Sequence, residues 1–185
     1  MKVLVGSLSI FVGGALFAGF PGATDARLKA IQGYRSWTKV NAKPVSMAPS
    51  VAVLCAAIPP PKWRDPSPHI GKFFTVYVNA TGRTAMLSDE TKPFPVGTVI
   101  VKEKVPAVGQ DVLKQTPGTK VELLTVMIKR DKGFDPGNGD WEYFAVSGDA
   151  KAVISKDVKH CQDCHRSQKS SDYVYRDYPR SASRR

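Results

Sequence analysis

The middle of the chain carries the clearest pattern, because β-branched and aromatic residues there form short runs separated by turn-forming residues. Residues 72–79 and 99–105 are rich in such side chains and predict two strands, the second of which we expect Pro106 to stop. Residues 121–130 are apolar on both faces, which predicts a central strand. Residues 141–146 follow a turn rich in proline and glycine and are expected to pair with that strand as a hairpin. The pattern therefore predicts a largely β domain.

Helical and irregular segments flank these strands. From residue 28 to residue 37 apolar side chains recur every three residues, which predicts a first helix capped by Thr24 or Asp25. Residues 44–68 contain seven prolines and are expected to form a long loop. A short helix is predicted over residues 160–167. Together with the strands, these elements predict an α+β fold that is predominantly β.

The first 23 residues have the layout of a secretory signal peptide. Lys2 is followed by an apolar stretch over residues 3–20 and by the small residues Gly22 and Ala23. Glycine and serine interrupt the apolar stretch, so we expect no stable membrane span, although an uncleaved tether stays open as an alternative. The segment therefore predicts a periplasmic or otherwise exported protein.

Without that segment the chain consists of one domain and a basic end. About 160 residues remain, which is enough for a single core over residues 24–178. The net charge of the whole chain is +11, and residues 179–185 form a basic tail that we expect to be disordered. Export argues against a nucleic-acid partner, and the lysines form no clear stripe. The charge therefore suits an acidic redox partner or an anionic lipid surface better.

The strongest chemical signal is Cys161-Gln162-Asp163-Cys164-His165, which has the C-x-x-C-H spacing of a haem c attachment site. In such a site two thiols add to the vinyl groups of the porphyrin, and the adjacent histidine binds the iron. The motif predicts one covalent haem c, with Cys161 and Cys164 as the thioether residues and His165 as the proximal iron ligand.

Three other uses of this cysteine pair stay open, namely a zinc site, a redox dithiol and a local disulfide. His160 extends the set of possible zinc ligands, but one short turn seldom offers four tetrahedral directions, and Cys55 and His69 are not paired at ligand spacing. A thioredoxin-like dithiol requires a βαβ pattern, which the surrounding sequence lacks. The sequence favours haem, and export supports it because haem c is normally attached outside the cytoplasmic membrane.

Further short motifs stand in order along residues 30–178. They are His69 to Lys72 leading into Val76 to Asn79, Phe94-Pro95-x-Gly97-Thr98 leading into Ile100 to Glu103, Met127 to Arg130, Gly139 to Tyr143, and Asp172 to Val174. In combination with the C-x-x-C-H, they make the chain resemble the cytochrome P-460 and cytochrome c′-beta family. The resemblance covers the whole domain.

This resemblance implies a curved antiparallel sheet with a few helices, a homodimer, and a five-coordinate haem with His165 as its proximal ligand. One branch of the family oxidises hydroxylamine and carries a cross-link between a lysine and the porphyrin. Another branch keeps an apolar, phenylalanine-capped distal face and binds nitric oxide or related gases. The polarity, hydrogen-bond donors and steric access of the distal side decide between such roles.

Candidate residues for the haem pocket come mainly from the predicted strands. Lys102 is the first candidate for a lysine that lies at the haem edge or is cross-linked to it, and Lys92 is the second, because a desolvated lysine becomes a usable nucleophile. Glu103 is the candidate general base for the protons that hydroxylamine releases. The candidate haem-pocket aromatics are Phe73, Phe74 and Phe94.

The leading hypothesis is an exported mono-haem cytochrome that oxidises a small nitrogen species, hydroxylamine or nitric oxide, and passes electrons to a partner cytochrome. The alternatives are a non-enzymatic gas-binding protein and a simple electron carrier. An electron carrier of this kind needs a sixth iron ligand, for which the candidates are Met47, Met86, Met127, His69 and His160.

Overall fold

The computed structural model describes residues 25–46, 71–109, 114–155 and 159–178. Within these ranges the chain forms eight β-strands and three α-helices. The predicted signal peptide, most of the predicted proline-rich loop and the predicted basic tail lie outside the described residues.

The elements follow one another as short helices around a continuous sheet. The strands are β1 (Thr38–Lys39), β2 (Val45–Ser46), β3 (Lys72–Val78), β4 (Val99–Val108), β5 (Thr116–Pro117), β6 (Leu123–Lys129), β7 (Trp141–Ser147) and β8 (Val153–Ser155). The helices are α1 (Ala26–Ala30), α2 (Ala80–Leu87) and α3 (Lys159–His165). None of the helices in the described ranges is long and apolar enough to span a membrane.

The strands form one antiparallel sheet with the order β1-β3-β4-β6-β7-β8, while β2 also pairs with β3 and β5 with β4. β3, β4, β6 and β7 occupy the segments that the sequence predicts, and β6 lies at the centre as expected. β6 and β7 form the predicted hairpin, with Leu123 opposite Ser147 and Lys129 opposite Trp141. The predicted α+β, predominantly β fold is confirmed.

The prediction that Pro106 stops β4 is wrong, because the strand continues to Val108. Pairing of β4 with β6 already ends at Lys104. The Pro106 carbonyl accepts a hydrogen bond from the Gly118 amide at 2.7 Å. In an antiparallel strand the backbone nitrogen and carbonyl of one residue point to the same side, so the nitrogen of Pro106 also faces Gly118. The missing amide hydrogen therefore interrupts no bond to β6.

The first helix is shorter than the sequence predicts. Asp25 is its N-cap and accepts a hydrogen bond from the Arg27 amide at 2.9 Å, which agrees with one of the two predicted caps. The helix ends at Ala30 because Gly33 takes a left-handed conformation with φ 71°, after which a 3₁₀ turn continues the chain.

Helix α2 is an element that the sequence pattern does not predict. Its N-cap is Asn79, whose side chain accepts a hydrogen bond from the Gly82 amide at 3.2 Å. Gly82 is required where α2 meets the sheet, because a Cβ atom there would lie 2.3 Å from Thr98 Cγ2. The glycine that lowers the helical signal is therefore the residue that lets the helix pack.

Side chains alternate between the two faces of the sheet, and each face carries its own buried apolar cluster. On what we call the front face, the cluster consists of Val40, Phe74, Val76, Val78, Ala85, Met86, Phe94, Ile100, Met127, Trp141, Tyr143, Tyr173 and Val174. On the back face, the cluster consists of Ile31, Tyr34, Val99, Val101, Leu124, Val126, Ile128, Phe144 and Val146. The haem motif packs on the front face, through Cys161.

Candidate haem site

The C-x-x-C-H motif lies on a short helix, as the sequence predicts. Helix α3 contains the whole motif and continues into a 3₁₀ turn over Arg166–Ser171. Cys161, Cys164 and His165 together line a cavity at the front face of the sheet. Its other lining residues include Met86, Ile100, Lys102, Met127, Tyr143 and Tyr178.

Polar contacts fix α3 against the turn between β6 and β7. Gln162 Nε2 donates to Asp135 Oδ2 at 2.8 Å, and Asn138 Nδ2 donates to the same oxygen at 2.8 Å. Arg166 Nε donates to Asn138 Oδ1 at 3.0 Å. Of the two middle residues of the motif, Gln162 therefore anchors the helix, whereas Asp163 is exposed and its partners among the described residues are Lys159 and Arg166.

The His165 ring is held between two tyrosine rings and one backbone carbonyl. Its centroid lies 5.3 Å from those of Tyr143 and Tyr175. The Tyr173 carbonyl lies 2.6 Å from Nδ1, and because a carbonyl can only accept, Nδ1 carries the hydrogen and Nε2 keeps its lone pair. Burial lowers the pKa of His165 to about 4, so the imidazole is neutral at neutral pH, which is the form that binds metals.

The two cysteines of the motif differ in their surroundings. Cys161 packs against the front-face cluster. Cys164 Sγ lies 3.3 Å from the Tyr175 hydroxyl.

Lys102 places an amine on the wall of the same cavity. Its side chain is buried, and its Nζ lies 4.7 Å from the centroid of the Phe74 ring and 5.9 Å from that of Tyr178. Burial lowers the pKa of Lys102 to about 8, and no carboxylate in the described ranges pairs with it. Lys104, which lies two positions further on the same face, is fully buried, and burial lowers its pKa as well. The cavity therefore combines two cysteine sulfurs, an imidazole and a weakly basic amine.

The family model described as Cytochrome P460 matches residues 31–176, which include every strand from β1 to β8 and the whole of α3. The chain belongs to the cytochrome P460 family. It is therefore a c-type haem protein whose cofactor contains iron. No curated protein matches the chain significantly.

The donor set of the cavity fits the haem c of a cytochrome P460. The two cysteines stand three residues apart on one helix, and the neutral histidine presents Nε2 while Nδ1 is held by the backbone. The zinc alternative gains no support, since the part of the chain that the structure describes holds no group of three or more histidine, cysteine or acidic side chains placed to bind a metal ion.

The structure brings only some of the predicted pocket aromatics to the front face. Phe74 is buried there and meets the Tyr178 ring edge-on at a centroid distance of 5.9 Å. Phe94 is buried in the same cluster, with its ring 5.5 Å from that of Trp141. Phe73 precedes Phe74 on β3, so its side chain points to the other face and does not reach the cavity.

Two of the predicted catalytic candidates lie away from the cavity. Glu103 lies on the back face, where it accepts hydrogen bonds from the Tyr34 hydroxyl at 2.5 Å and from Arg35 Nε at 2.9 Å. Lys92 is exposed, and its Nζ pairs with Glu90 at 2.9 Å. We therefore withdraw Glu103 as the candidate base and Lys92 as the candidate haem-edge lysine.

Sequence reasoning missed the tyrosines of the site. Tyr143 contacts the His165 ring and lines the cavity, and its buried hydroxyl has no hydrogen-bond partner in the described residues. Tyr175 and Tyr178 line the same cavity from the segment after α3. The alternation along β7 was an available signal for Tyr143, because that residue shares a face with Trp141.

Gly139 is expected to be essential for the geometry around His165. It has φ 66°, and a Cβ atom there would lie 2.5 Å from Tyr173 Cδ2, on the residue whose carbonyl contacts His165. Gly139→Ala is therefore expected to lower the free energy of unfolding by roughly 2–4 kcal/mol, from backbone strain and overpacking together. Urea denaturation measures the change.

Gly137→Ala is the matched control for that substitution. Gly137 lies two residues away, its φ is outside the left-handed region, and an added Cβ atom would meet nothing closer than Asp135 Oδ1 at 3.8 Å. We expect a change within about 0.5 kcal/mol for this surface position. Equal destabilisation by both alanines would show that the contact with Tyr173 does not matter.

The burial of Lys102 predicts a pH dependence of stability in the haem-free protein. The pKa of Lys102 is 10.5 in the unfolded chain and about 8 in the folded protein, so the unfolded chain binds more protons between these values. The free energy of unfolding is therefore expected to rise with pH from about 8 to about 10, where buried tyrosines begin to act in the opposite sense. Urea titrations across this range test the slope, and Lys102→Met should reduce it. A stability that is flat or falling in this window would contradict the burial of this charge.

Proposed function

We propose that this member of the cytochrome P460 family carries a single haem on Cys161 and Cys164, with His165 as the proximal iron ligand, and that it oxidises a small nitrogen species, hydroxylamine or nitric oxide. The observation that carries the proposal is the buried amine of Lys102 on the wall of the cavity that these residues line. A pocket that only binds gas requires no such group. Oxidation of hydroxylamine releases protons, which require an acceptor.

Lys102 is suited to be that acceptor. The haem iron, when bound, supplies the position for the nitrogen species and the route for its electrons. Because the pKa of Lys102 is lowered to about 8, a substantial fraction of the amine is neutral near that pH and can take up a proton. The aromatic rings of Phe74 and Tyr178 flank the amine and keep it out of bulk water. A partner cytochrome then accepts the electrons.

As an alternative to its role as a free base, Lys102 is our candidate for the lysine–porphyrin cross-link of the oxidising branch of the family. A neutral, desolvated amine is a nucleophile, whereas a solvated lysine is protonated at neutral pH. Among the two lysines that the sequence singles out, Lys102 reaches the cavity and Lys92 does not.

A second candidate function, non-enzymatic binding of nitric oxide, is favoured by the apolar part of the same cavity. Met86, Ile100 and Met127 line it, and Phe74 and Phe94 belong to the same buried cluster. A small uncharged gas needs an apolar, accessible space at the iron and no proton acceptor.

A steady-state assay of the holoprotein separates the two functions. The wild-type holoprotein is mixed with hydroxylamine and an oxidised electron acceptor, and reduction of the acceptor is followed optically. We expect reduction to continue well beyond one equivalent per haem. Tight binding of nitric oxide by the ferrous protein, without any turnover of hydroxylamine or nitric oxide, would overturn the oxidase proposal and support the gas-binding one.

We further propose that residues 1–23 direct export to the periplasm and that the protein works as a homodimer with a redox-partner cytochrome. The support for export is the signal-like layout of the sequence, and the support for the dimer is the family resemblance. Light scattering of the purified holoprotein tests the dimer, and N-terminal sequencing of the secreted protein tests export and cleavage.

A further inference from the structure

The turn that follows the haem-motif helix holds two consecutive non-glycine residues in the left-handed region. Asp172 has φ 55° and Tyr173 has φ 62°. Each such residue costs about 1–2 kcal/mol, so other contacts have to hold the turn in place. The turn directs the Tyr173 carbonyl at His165, whose Nδ1 donates to it over 2.6 Å.

The Asp172 carboxylate ties this turn to two other parts of the fold. Its Oδ2 accepts a hydrogen bond from the Phe94 amide at 2.7 Å. Lys129 Nζ, at the end of β6, donates to Oδ1 at 2.7 Å and to Oδ2 at 2.9 Å. The two charged side chains are only 13% and 14% exposed, so solvent screens the pair weakly and removal of either partner leaves a mostly buried charge.

The backbone around Asp172 is fixed as well. Trp141 Nε1 donates to the Asp172 carbonyl at 2.8 Å, and Trp141 itself is fully buried. Lys129 Nζ also donates to the Gly139 carbonyl at 2.8 Å, which places Gly139 against the Tyr173 ring. Every contact of this cluster therefore bears on the position of one peptide group, the carbonyl of Tyr173.

We infer that Asp172 and Lys129 form a positioning pair for the proximal histidine. Neither residue belongs to the attachment motif or lines the cavity, so both act through the Tyr173 carbonyl. By fixing the Nδ1–H···O hydrogen bond, the pair keeps Nε2 as the free nitrogen and makes the imidazole a stronger electron donor. This inference rests on the role of His165 as the iron ligand that is proposed above.

Asp172→Asn is the variant that tests the pair. Asparagine keeps the size of the side chain and tolerates the left-handed conformation, but it removes the charge that Lys129 faces. Loosening the turn weakens the hydrogen bond to His165, and a weaker donor stabilises ferric iron less than the wild-type imidazole does. We expect the iron–histidine stretching band in resonance Raman spectra of the ferrous holoprotein to move to lower frequency. The midpoint potential is expected to move to a more positive value.

Variants of the partner lysine provide the second arm of the experiment. Lys129→Gln is expected to shift the band and the potential in the same directions as Asp172→Asn. Lys129→Arg retains the charge and is expected to stay closer to the wild type than Lys129→Gln. Asp163→Asn is the matched control, because it removes the same charge from the exposed side of α3, and we expect it to change neither reading.

The possible failures are distinguishable. A band and a potential that stay in place in Asp172→Asn and Lys129→Gln would overturn the positioning role, even if both variants unfold more easily. If Asp172→Asn does not accumulate as holoprotein, the readings of Lys129→Gln decide alone. A wild-type ferrous protein without an iron–histidine band would instead overturn the open, histidine-ligated iron of the proposed function.

Discussion

Serine in place of both Cys161 and Cys164 is expected to abolish the thioether attachment of haem. A serine hydroxyl does not add to a vinyl group under the conditions of haem attachment, so haem in the double variant is held only by noncovalent contacts and His165. Acid–acetone extraction followed by intact-mass measurement is the test. The wild type should stay heavier than the bare chain by the mass of one haem, and the double variant should lose it. Each single serine variant retains one thiol and should keep covalent haem at a lower yield.

Asp163→Asn provides the control within the motif, because Asp163 lies between the cysteines but is exposed, and it should keep full attachment. Covalent haem that persists in the double-serine variant but disappears when Lys102→Met is added would identify Lys102 as a third attachment point. Covalent haem that persists even in the triple variant would contradict the assignment of the attachment site.

Methionine in place of Lys102 is expected to lower kcat for hydroxylamine by about 10²–10⁴-fold, which is the usual contribution of a positioned general base. The same substitution is expected to stabilise the haem-free chain near pH 7, because it replaces a buried charge with an apolar side chain of similar length. Loss of activity together with a gain in stability separates a catalytic role from a structural one. Steady-state kinetics and urea denaturation measure the two effects.

Lys92→Met is the matched control for this experiment, because it makes the same chemical change at an exposed lysine that pairs with Glu90. We expect it to leave kcat within a factor of about two, as surface substitutions away from a site have small effects. The account is contradicted if Lys102→Met retains wild-type kcat, or if Lys92→Met loses as much activity as Lys102→Met.

Much of the sheet is predictable because its signal is local. β3 is a run of β-branched and aromatic residues, and β6 is predicted to be central because it is apolar on both faces. The attachment motif is readable for the same reason, since its three chemical groups lie within five residues of one another. Helix α2 is not readable, because Gly82 and two threonines give it a weak helical propensity that packing overrides.

The candidate haem site shows which pocket residues can be predicted from the alternation of side chains along a strand. Neighbouring residues on a strand point to opposite faces, and accordingly Lys102 lines the cavity whereas the Glu103 carboxylate bonds Tyr34 and Arg35 on the back face. In the same way, Phe74 belongs to the buried front-face cluster and its neighbour Phe73 does not. Alternation alone was therefore sufficient to reject one member of each pair, but only the packing of α3 shows which face carries the haem motif.

Contacts between distant segments leave no local pattern. Asp172 contacts Lys129, which is 43 residues away in sequence, and Phe94, which is 78 residues away. Its backbone is left-handed, and such a conformation at a non-glycine residue is difficult to predict from sequence. Tyr143 and Tyr175 similarly become neighbours of His165 only when β7 and the segment after α3 come together. The residues that hold and tune the proximal histidine are thus properties of the fold.

The optical spectrum of the ferrous holoprotein tests the central claim most directly. An iron held by His165 alone, with an open distal position, predicts a five-coordinate high-spin spectrum that changes when nitric oxide or hydroxylamine is added. Met86 and Met127 line the cavity, and either sulfur as a sixth ligand would make the protein a simple electron carrier. A six-coordinate low-spin ferrous spectrum that does not respond to these small molecules would contradict the account.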